Sequence, residues 1–152
     1  MKHVLQVFFL LFLIISCEET YDPPPKALLQ ATLWSSSTKK AISPEVSVLG
    51  LGQDSLWIDH ESTTSILFPL SKNDTSVFIV SFDSVDDTLN LSYQSELLYD
   101  AMETGFYYEY KLQSVSFTQN RIDSLIVIDS LITKNWNENF QLYINSLPDT
   151  TN

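Results

Sequence analysis

The sequence predicts an all-β fold in which antiparallel strands form a two-sheet β-sandwich, and three observations predict it. From Ala27 onward the apolar residues alternate with polar ones or run in short solid blocks, and no stretch carries a 3.6-residue period. The blocks are enriched in β-branched and aromatic residues and are punctuated by Asp, Asn, Ser, Thr and Pro. A composition of 44% hydrophobic, 12% aromatic and 18% charged residues over 152 positions suffices for one domain with a buried core. Strands joined by short polar turns, without helices between them, imply antiparallel pairing. A sheet of this many strands closes by folding on itself, as in an immunoglobulin or transthyretin domain.

In chain order, residues 1–16 read as a lipoprotein signal peptide. Met1-Lys2-His3 is a short basic start, and the apolar run Val4 to Ile15, broken only by Gln6, is too short to span a ~30 Å hydrocarbon core. Ile14-Ile15-Ser16-Cys17 resembles a bacterial lipobox, with cleavage between Ser16 and Cys17 and acylation of Cys17. Cys17 is the sole cysteine, so no internal disulfide is available and the residue stands where a lipoprotein needs it. Two or more acyl chains there would hold the protein to a membrane without spanning it.

Residues 17–26 form a tether. Glu18-Glu19 lacks the Asp at the second mature position that retains enterobacterial lipoproteins in the inner membrane, which favours delivery to the outer membrane, on its surface or periplasmic face. Pro23-Pro24-Pro25 favours polyproline II, and about nine residues at ~3.1 Å each reach less than ~30 Å.

The sandwich occupies 27–146, followed by a flexible tail over 147–152. Its expected strands are Ala27 to Ser35, Glu45 to Leu51, Ser55 to Asp59, Thr64 to Leu70, Thr75 to Asp83, Thr88 to Ser95, Gly105 to Thr118, Asp123 to Thr133 and Asn139 to Asn145. Leu89-Asn90-Leu91-Ser92-Tyr93 alternates cleanly, and the Gly105 strand changes face near Gln113 or Ser114, as at a bulge. Ser95 to Met102 is the one place where a helical turn is expected, and Gly50-Leu51-Gly52 reads as a bulge or kink.

The charge balance excludes partners. Eight Lys plus Arg against 19 Asp plus Glu give a net charge of −11, which removes nucleic acid, whose binding needs a basic stripe. No cofactor or metal is expected. Behind the predicted cleavage site only His60 remains among histidines, so the usual zinc sites and Cys-His nucleophiles are missing, and three glycines cannot build a phosphate loop. No GxSxG elbow accompanies His60, and Asp59-His60-Glu61 reads as a solvated loop. Asp83-Ser84-Val85-Asp86-Asp87 lacks the ligand order of a calcium loop. The remaining carboxylates fall where strands begin, end or bend, where Asp hydrogen-bonds a turn, so no catalytic residue is assigned, although a carboxylate-based hydrolase stays open by count.

Two patterns remain. Asp, then Ser or Thr, then an aliphatic residue or Thr recurs six times, as at Asp54-Ser55-Leu56, Asp87-Thr88-Leu89 and Asp149-Thr150-Thr151. It looks like the acceptor sequon of Bacteroidota O-glycosylation, with Ser55, Thr88 and Thr150 the better exposed candidates, and it is equally how a turn hands over to a strand. Trp136, in the polar turn Lys134-Asn135-Trp136-Asn137, and Tyr107, the outward member of the Phe106 to Tyr110 alternation, are candidates for stacking on a glycan. Trp34 and Trp57, in strand patterns, read as core packing.

The order Ile66-Leu67-Phe68-Pro69-Leu70, Asp74-Thr75-Ser76, Asp87-Thr88-Leu89-Asn90-Leu91-Ser92-Tyr93, Gly105-Phe106, Ile122 to Ile132 and Asn139-Phe140-Gln141-Leu142-Tyr143-Ile144 is similar to Bacteroidota lipoproteins of domain of unknown function 6452. Relatives of that kind often carry a Cys before the Gly-Phe pair, where this chain has Thr104. The resemblance implies an exported sandwich lipoprotein and no assigned chemistry. The expected role is a non-enzymatic binding or structural accessory of the cell envelope, with an envelope protein as partner; the alternative is a surface glycan-binding module.

Overall fold

The computed structural model describes residues 26–147. The expected signal peptide, its cleavage junction at Ser16 and Cys17, the expected tether as far as Pro25, and Thr150 lie outside the described residues. The described chain is built from strands, with no helix among the described residues. They are β1 (Leu28–Ser35), β2 (Glu45–Gly50), β3 (Ile58–Ser62), β4 (Ser65–Pro69), β5 (Thr75–Phe82), β6 (Val85–Ala101), β7 (Gly105–Phe117), β8 (Ile122–Val127), β9 (Leu131–Ile132) and β10 (Glu138–Ile144).

They form two sheets, ordered β4-β1-β10-β8 and β3-β2-β5-β6-β7-β9. Alternation puts Leu29, Ala31 and Leu33 of β1, Ile66 and Phe68 of β4, and Phe140, Leu142 and Ile144 of β10 on one inner face. Val46 and Val48, Phe78, Val80 and Phe82, and Leu89, Leu91 and Tyr93 supply the other. The faces meet where the Phe68 ring lies 4.9 Å from that of Phe78, and Phe68 also lies 6.4 Å from Phe140 of its own sheet. Burying each such side chain contributes roughly 1.5–3 kcal/mol.

Several details depart from the sequence-based expectations. Antiparallel pairing holds throughout except that β1 and β10 pair in parallel, Ala31 opposite Phe140 and Leu33 opposite Leu142. These strands stand more than a hundred residues apart, so no short turn constrains their direction. No helical turn forms at Ser95 to Met102; β6 runs straight through to Ala101, held by β7 from Leu89 opposite Phe117 to Ala101 opposite Gly105. The predicted strand Asp123 to Thr133 is two strands in different sheets. The chain crosses between them at Asp129, whose Oδ1 accepts the Leu131 N–H at 2.9 Å, while Asn139 Nδ2 donates to the carbonyls of Asp129 and Leu131. The third strand is shifted, so Asp59-His60-Glu61 lies in the exposed edge strand β3 and not in a loop. Gly50 ends β2 and Gly52, at φ 83°, sits in a turn instead of a bulge.

The expected face change in β7 is present. Ser92 opposes Ser114 and Tyr93 opposes Leu112, so Gln113 is the extra residue of a bulge. The β5–β6 hairpin turns on Asp83 (φ 48°) and Ser84 (φ 67°), both left-handed as a type I′ turn requires.

Candidate functional site

The strand registers define two ends of the two-sheet fold with opposite character. At one, the entry end, Lys26 leads into β1, β4 stops at Pro69 opposite Leu28, and β10 starts. At the other, β1, β5, β8 and β10 meet around Ser35, Phe82, Ile122 and Ile144.

The far end is polar and tightly fastened. The buried Asp87 carboxylate accepts the backbone N–H groups of Asn120 at 2.8 Å, Arg121 at 2.7 Å and Ile122 at 2.9 Å, and the Thr118 hydroxyl at 2.7 Å. It thereby holds the corner where the chain leaves β7 for β8, in the other sheet. Arg121, also buried, donates from Nη2 to Asp83 Oδ2 at 2.9 Å, from Nε to the Asn145 carbonyl at 3.0 Å and from Nη1 to the Phe82 carbonyl at 3.3 Å. Asp83 Oδ1 accepts the Glu45 N–H at 3.1 Å. Asp87, the third residue of β6, lies near the strand start as the sequence reading placed it, but the backbone it fastens is the distant β7–β8 corner and not an adjacent turn.

The entry end is apolar. Exposed large hydrophobic side chains gather there, among them Leu51, Leu56 and Trp57 on one flank, and Leu97, Tyr99, Met102, Phe106 and Trp136 on the other. Pairing explains the second group. Strand β5 leaves β6 after Thr75 opposite Ser92, and β9 reaches only Tyr110 on β7, so Glu96 to Ala101 and Gly105 to Glu109 pair only with each other. This two-stranded ribbon overhangs the sheet by about 20 Å at ~3.4 Å per residue. Asp74, at φ 62°, pins its root, accepting the Ser95 N–H at 2.8 Å and its hydroxyl at 2.6 Å; these bonds hold the Asp74 carboxyl below its ordinary value.

Between the ribbon and the start of β1 lies a groove of ≈ 350 Å³ whose walls include Lys26, Leu28, Leu70, Phe106, Tyr108 and Tyr110. Tyr93 and Tyr110 meet edge to face at 5.2 Å at its base, and burial pushes the Tyr110 phenol up to about 12. A second cleft of ≈ 670 Å³ shares Pro69 and Leu70 and is edged by Trp57, Gln53 and Asn73.

Of the two predicted stacking residues, Trp136 is exposed and Tyr107 is not. Trp136 is 53% exposed, with its indole Nε1 donating to the Lys26 carbonyl at 2.9 Å. Tyr107 does point away from Tyr108 and Tyr110, yet it is only 9% exposed, because Lys134 lies over its ring at 5.3 Å and its hydroxyl donates to Glu109 Oε1 at 3.0 Å. Its neighbour Phe106, which alternation placed inward, is exposed because the ribbon has outrun the opposing sheet. Trp57, predicted to pack in the core, is 49% exposed, with Nε1 donating to the Leu67 carbonyl at 2.7 Å. Trp34 is half-buried, its Nε1 donating to Thr32 Oγ1 at 2.8 Å.

The other sequence candidates are scattered. Ser55 is exposed beside the larger cleft, whereas Thr88 is half-buried in β6, between β5 and β7. His60 Nδ1 contacts Asp59 Oδ1 at 2.5 Å on the exposed edge, which raises the imidazole pKa. No group of three or more metal-ligating side chains occurs among the described residues. No curated protein and no solved structure matches the chain. The model of the Family of unknown function (DUF6452) matches residues 45–144, from the first residue of β2 to the last of β10. On that match over two strand-built sheets, the chain belongs to this family.

Proposed function

We propose that this protein is an exported lipoprotein of the Bacteroidota outer membrane, anchored through acyl groups on Cys17, and that it serves the envelope as a non-enzymatic binding or structural module. The observation that carries this reading is Ile14-Ile15-Ser16-Cys17, a lipobox ending in the only cysteine of the chain. The use of the carboxylates supports the non-enzymatic part: Asp74, Asp83, Asp87 and Asp129 are each occupied in fastening backbone or a partner side chain. Two facing sheets around one core support a sandwich of the immunoglobulin or transthyretin kind.

The test is the intact mass of the protein recovered from the membrane fraction. The expected mass lacks residues 1–16 and gains acyl chains, and Cys17→Ser abolishes both changes. A soluble, unacylated chain would sink the reading. A C-terminal tag digested by protease on intact cells assigns the domain to the cell surface, and a tag protected until lysis assigns it to the periplasm.

A glycan-binding role, the second reading, moves from Trp136 and Tyr107 to Trp57. Its exposed indole stands beside the amides of Gln53 and Asn73 in the larger cleft, the combination of stacking face and hydrogen-bonding groups that a sugar ring uses. Quenching of Trp57 emission by cell-surface polysaccharide, lost in Trp57→Phe, tests it.

A further inference from the structure

We infer that the overhanging ribbon of β6 and β7, together with Trp136, rests on the lipid surface to which the protein is anchored. This inference builds on the proposed lipid anchor and adds a second, non-covalent contact with the membrane.

The argument starts from an apolar face that nothing in the described chain covers. Leu89, Leu91 and Tyr93 of β6 point into the core, and the same alternation carries Leu97 and Tyr99 beyond the end of the opposing sheet. Across the ribbon Leu97 stands opposite Tyr108 and Tyr99 opposite Phe106, whose ring lies 5.4 Å from that of Tyr99. Met102 at the tip is 89% exposed. On the reverse face Leu98 stands opposite Tyr107, and that face is covered by Lys134, which lies over the Tyr107 ring and pairs with Asp100, and closed by the Tyr107–Glu109 hydrogen bond. A two-stranded ribbon is marginal in water unless something backs it, and this one presents apolar side chains on the side that lacks backing.

The occupant follows from where the chain enters. Lys26 lines the groove beneath the ribbon alongside Phe106, and its carbonyl is held by Trp136. The nine residues that follow Cys17, up to Lys26, span less than ~30 Å as polyproline II. Anchoring at Cys17 therefore keeps this end, and not the polar end around Arg121 and Asn145, at the membrane. Trp, Tyr, Phe and Met at the headgroup level suit the interface, where aromatic rings and apolar side chains leave water while polar edges stay wet. The net charge of −11 disfavours an anionic surface, so the lipid is zwitterionic in headgroup. Trp57 lies on the opposite flank, before β3, at the far edge of the larger sheet from β9. It stays in water.

The experiment uses the full-length protein purified in acylated form and reconstituted into phosphatidylcholine vesicles whose lipids are brominated near the headgroup. Trp136 emission, taken as the difference between wild type and Trp136→Phe, is expected to fall by half or more, and Trp57 emission to be unchanged. Met102→Ser with Phe106→Ser is expected to restore Trp136 emission while flotation and acylated mass stay as in wild type. Flotation with an acylated mass but unquenched Trp136 overturns the contact and leaves the anchor standing. A protein that neither carries acyl chains nor floats overturns both. Trp136 shielded from iodide in native envelopes yet unquenched in protein-free vesicles means that another protein covers this end, and overturns the lipid assignment.

Discussion

The Asp87 carboxylate accepts the backbone N–H of Arg121 at 2.7 Å, and the Arg121 side chain returns to Asp83 on the turn that leads into the same strand. One acid near the start of β6 thus captures the corner at which the chain changes sheets, and the only Arg of the sequence locks that corner to the β5–β6 hairpin.

Asp87→Ala should be among the most destabilising single substitutions in the domain. It strands three backbone N–H groups and the Thr118 hydroxyl, and each buried donor left without a partner costs ~1–3 kcal/mol. A loss of at least ~3 kcal/mol, or about 10 °C in melting temperature, is expected in thermal or urea unfolding. Asp86→Ala next to it, exposed, should cost less than ~0.5 kcal/mol. Equal effects at the two positions would refute the role of Asp87.

Ser84→Gly should stabilise the protein. Ser84 holds φ at 67° in the hairpin turn, a conformation that glycine adopts without steric cost. The expected gain is about 0.5–1 kcal/mol, reduced by the extra freedom of glycine in the unfolded chain. Asp83 should not be replaced in the same way despite its φ of 48°, because its carboxylate holds Arg121 and Glu45. Urea midpoints of the two variants are expected to move in opposite directions.

Alkaline stability should be limited by Tyr110. Burial raises its phenol to about 12, so the folded state keeps the proton that the unfolded chain releases near 10. The stabilisation is whole below pH ~10 and is lost as pH rises towards 12. Phenolate absorbance should show Tyr110 ionising only together with unfolding, and Tyr110→Phe should flatten that loss. Ionisation of Tyr110 near 10 in a folded chain would contradict its burial.

In acid the root and tip of the ribbon should loosen first. Asp100 is held below the ordinary carboxylate value of 3.8 by Lys134 and Thr104, and Asp74 by Ser95. Depressed acids stabilise above their unfolded value, and that contribution is lost as pH falls through the folded value. The Lys134 ammonium is raised by the same pair, so the pair is intact from mildly acidic to mildly alkaline pH. Carboxyl NMR titration of Lys134→Met should return Asp100 towards 3.8. An unchanged Asp100 midpoint would dissolve the pair.

The larger part of the fold was legible along the chain. Alternation alone placed Leu89, Leu91 and Tyr93 on one face, and the break in alternation of β7 located the Gln113 bulge within a residue. The Asp residues of the repeated triplet were readable as backbone partners in kind, as at Asp129, but not in reach: Asp87 grips residues more than thirty positions away. Tyr107 is buried because exposure depends on what covers a strand as well as on parity. The parity of Tyr107 was legible, whereas the Lys134 roof above it was not.

The sequence by itself determined most of the strands, their two-residue period and the turn residues, because these rest on local sterics and on which side chains seek water. Only the tertiary structure decided that β1 lies parallel to β10, that one predicted strand divides between two sheets, and that β6 and β7 outrun their neighbours to leave Tyr99, Met102 and Phe106 exposed. The reason is physical: hydrophobic burial is non-directional, so an apolar residue in a strand demands cover, and which segment supplies it, or fails to, is settled only when the sheets meet.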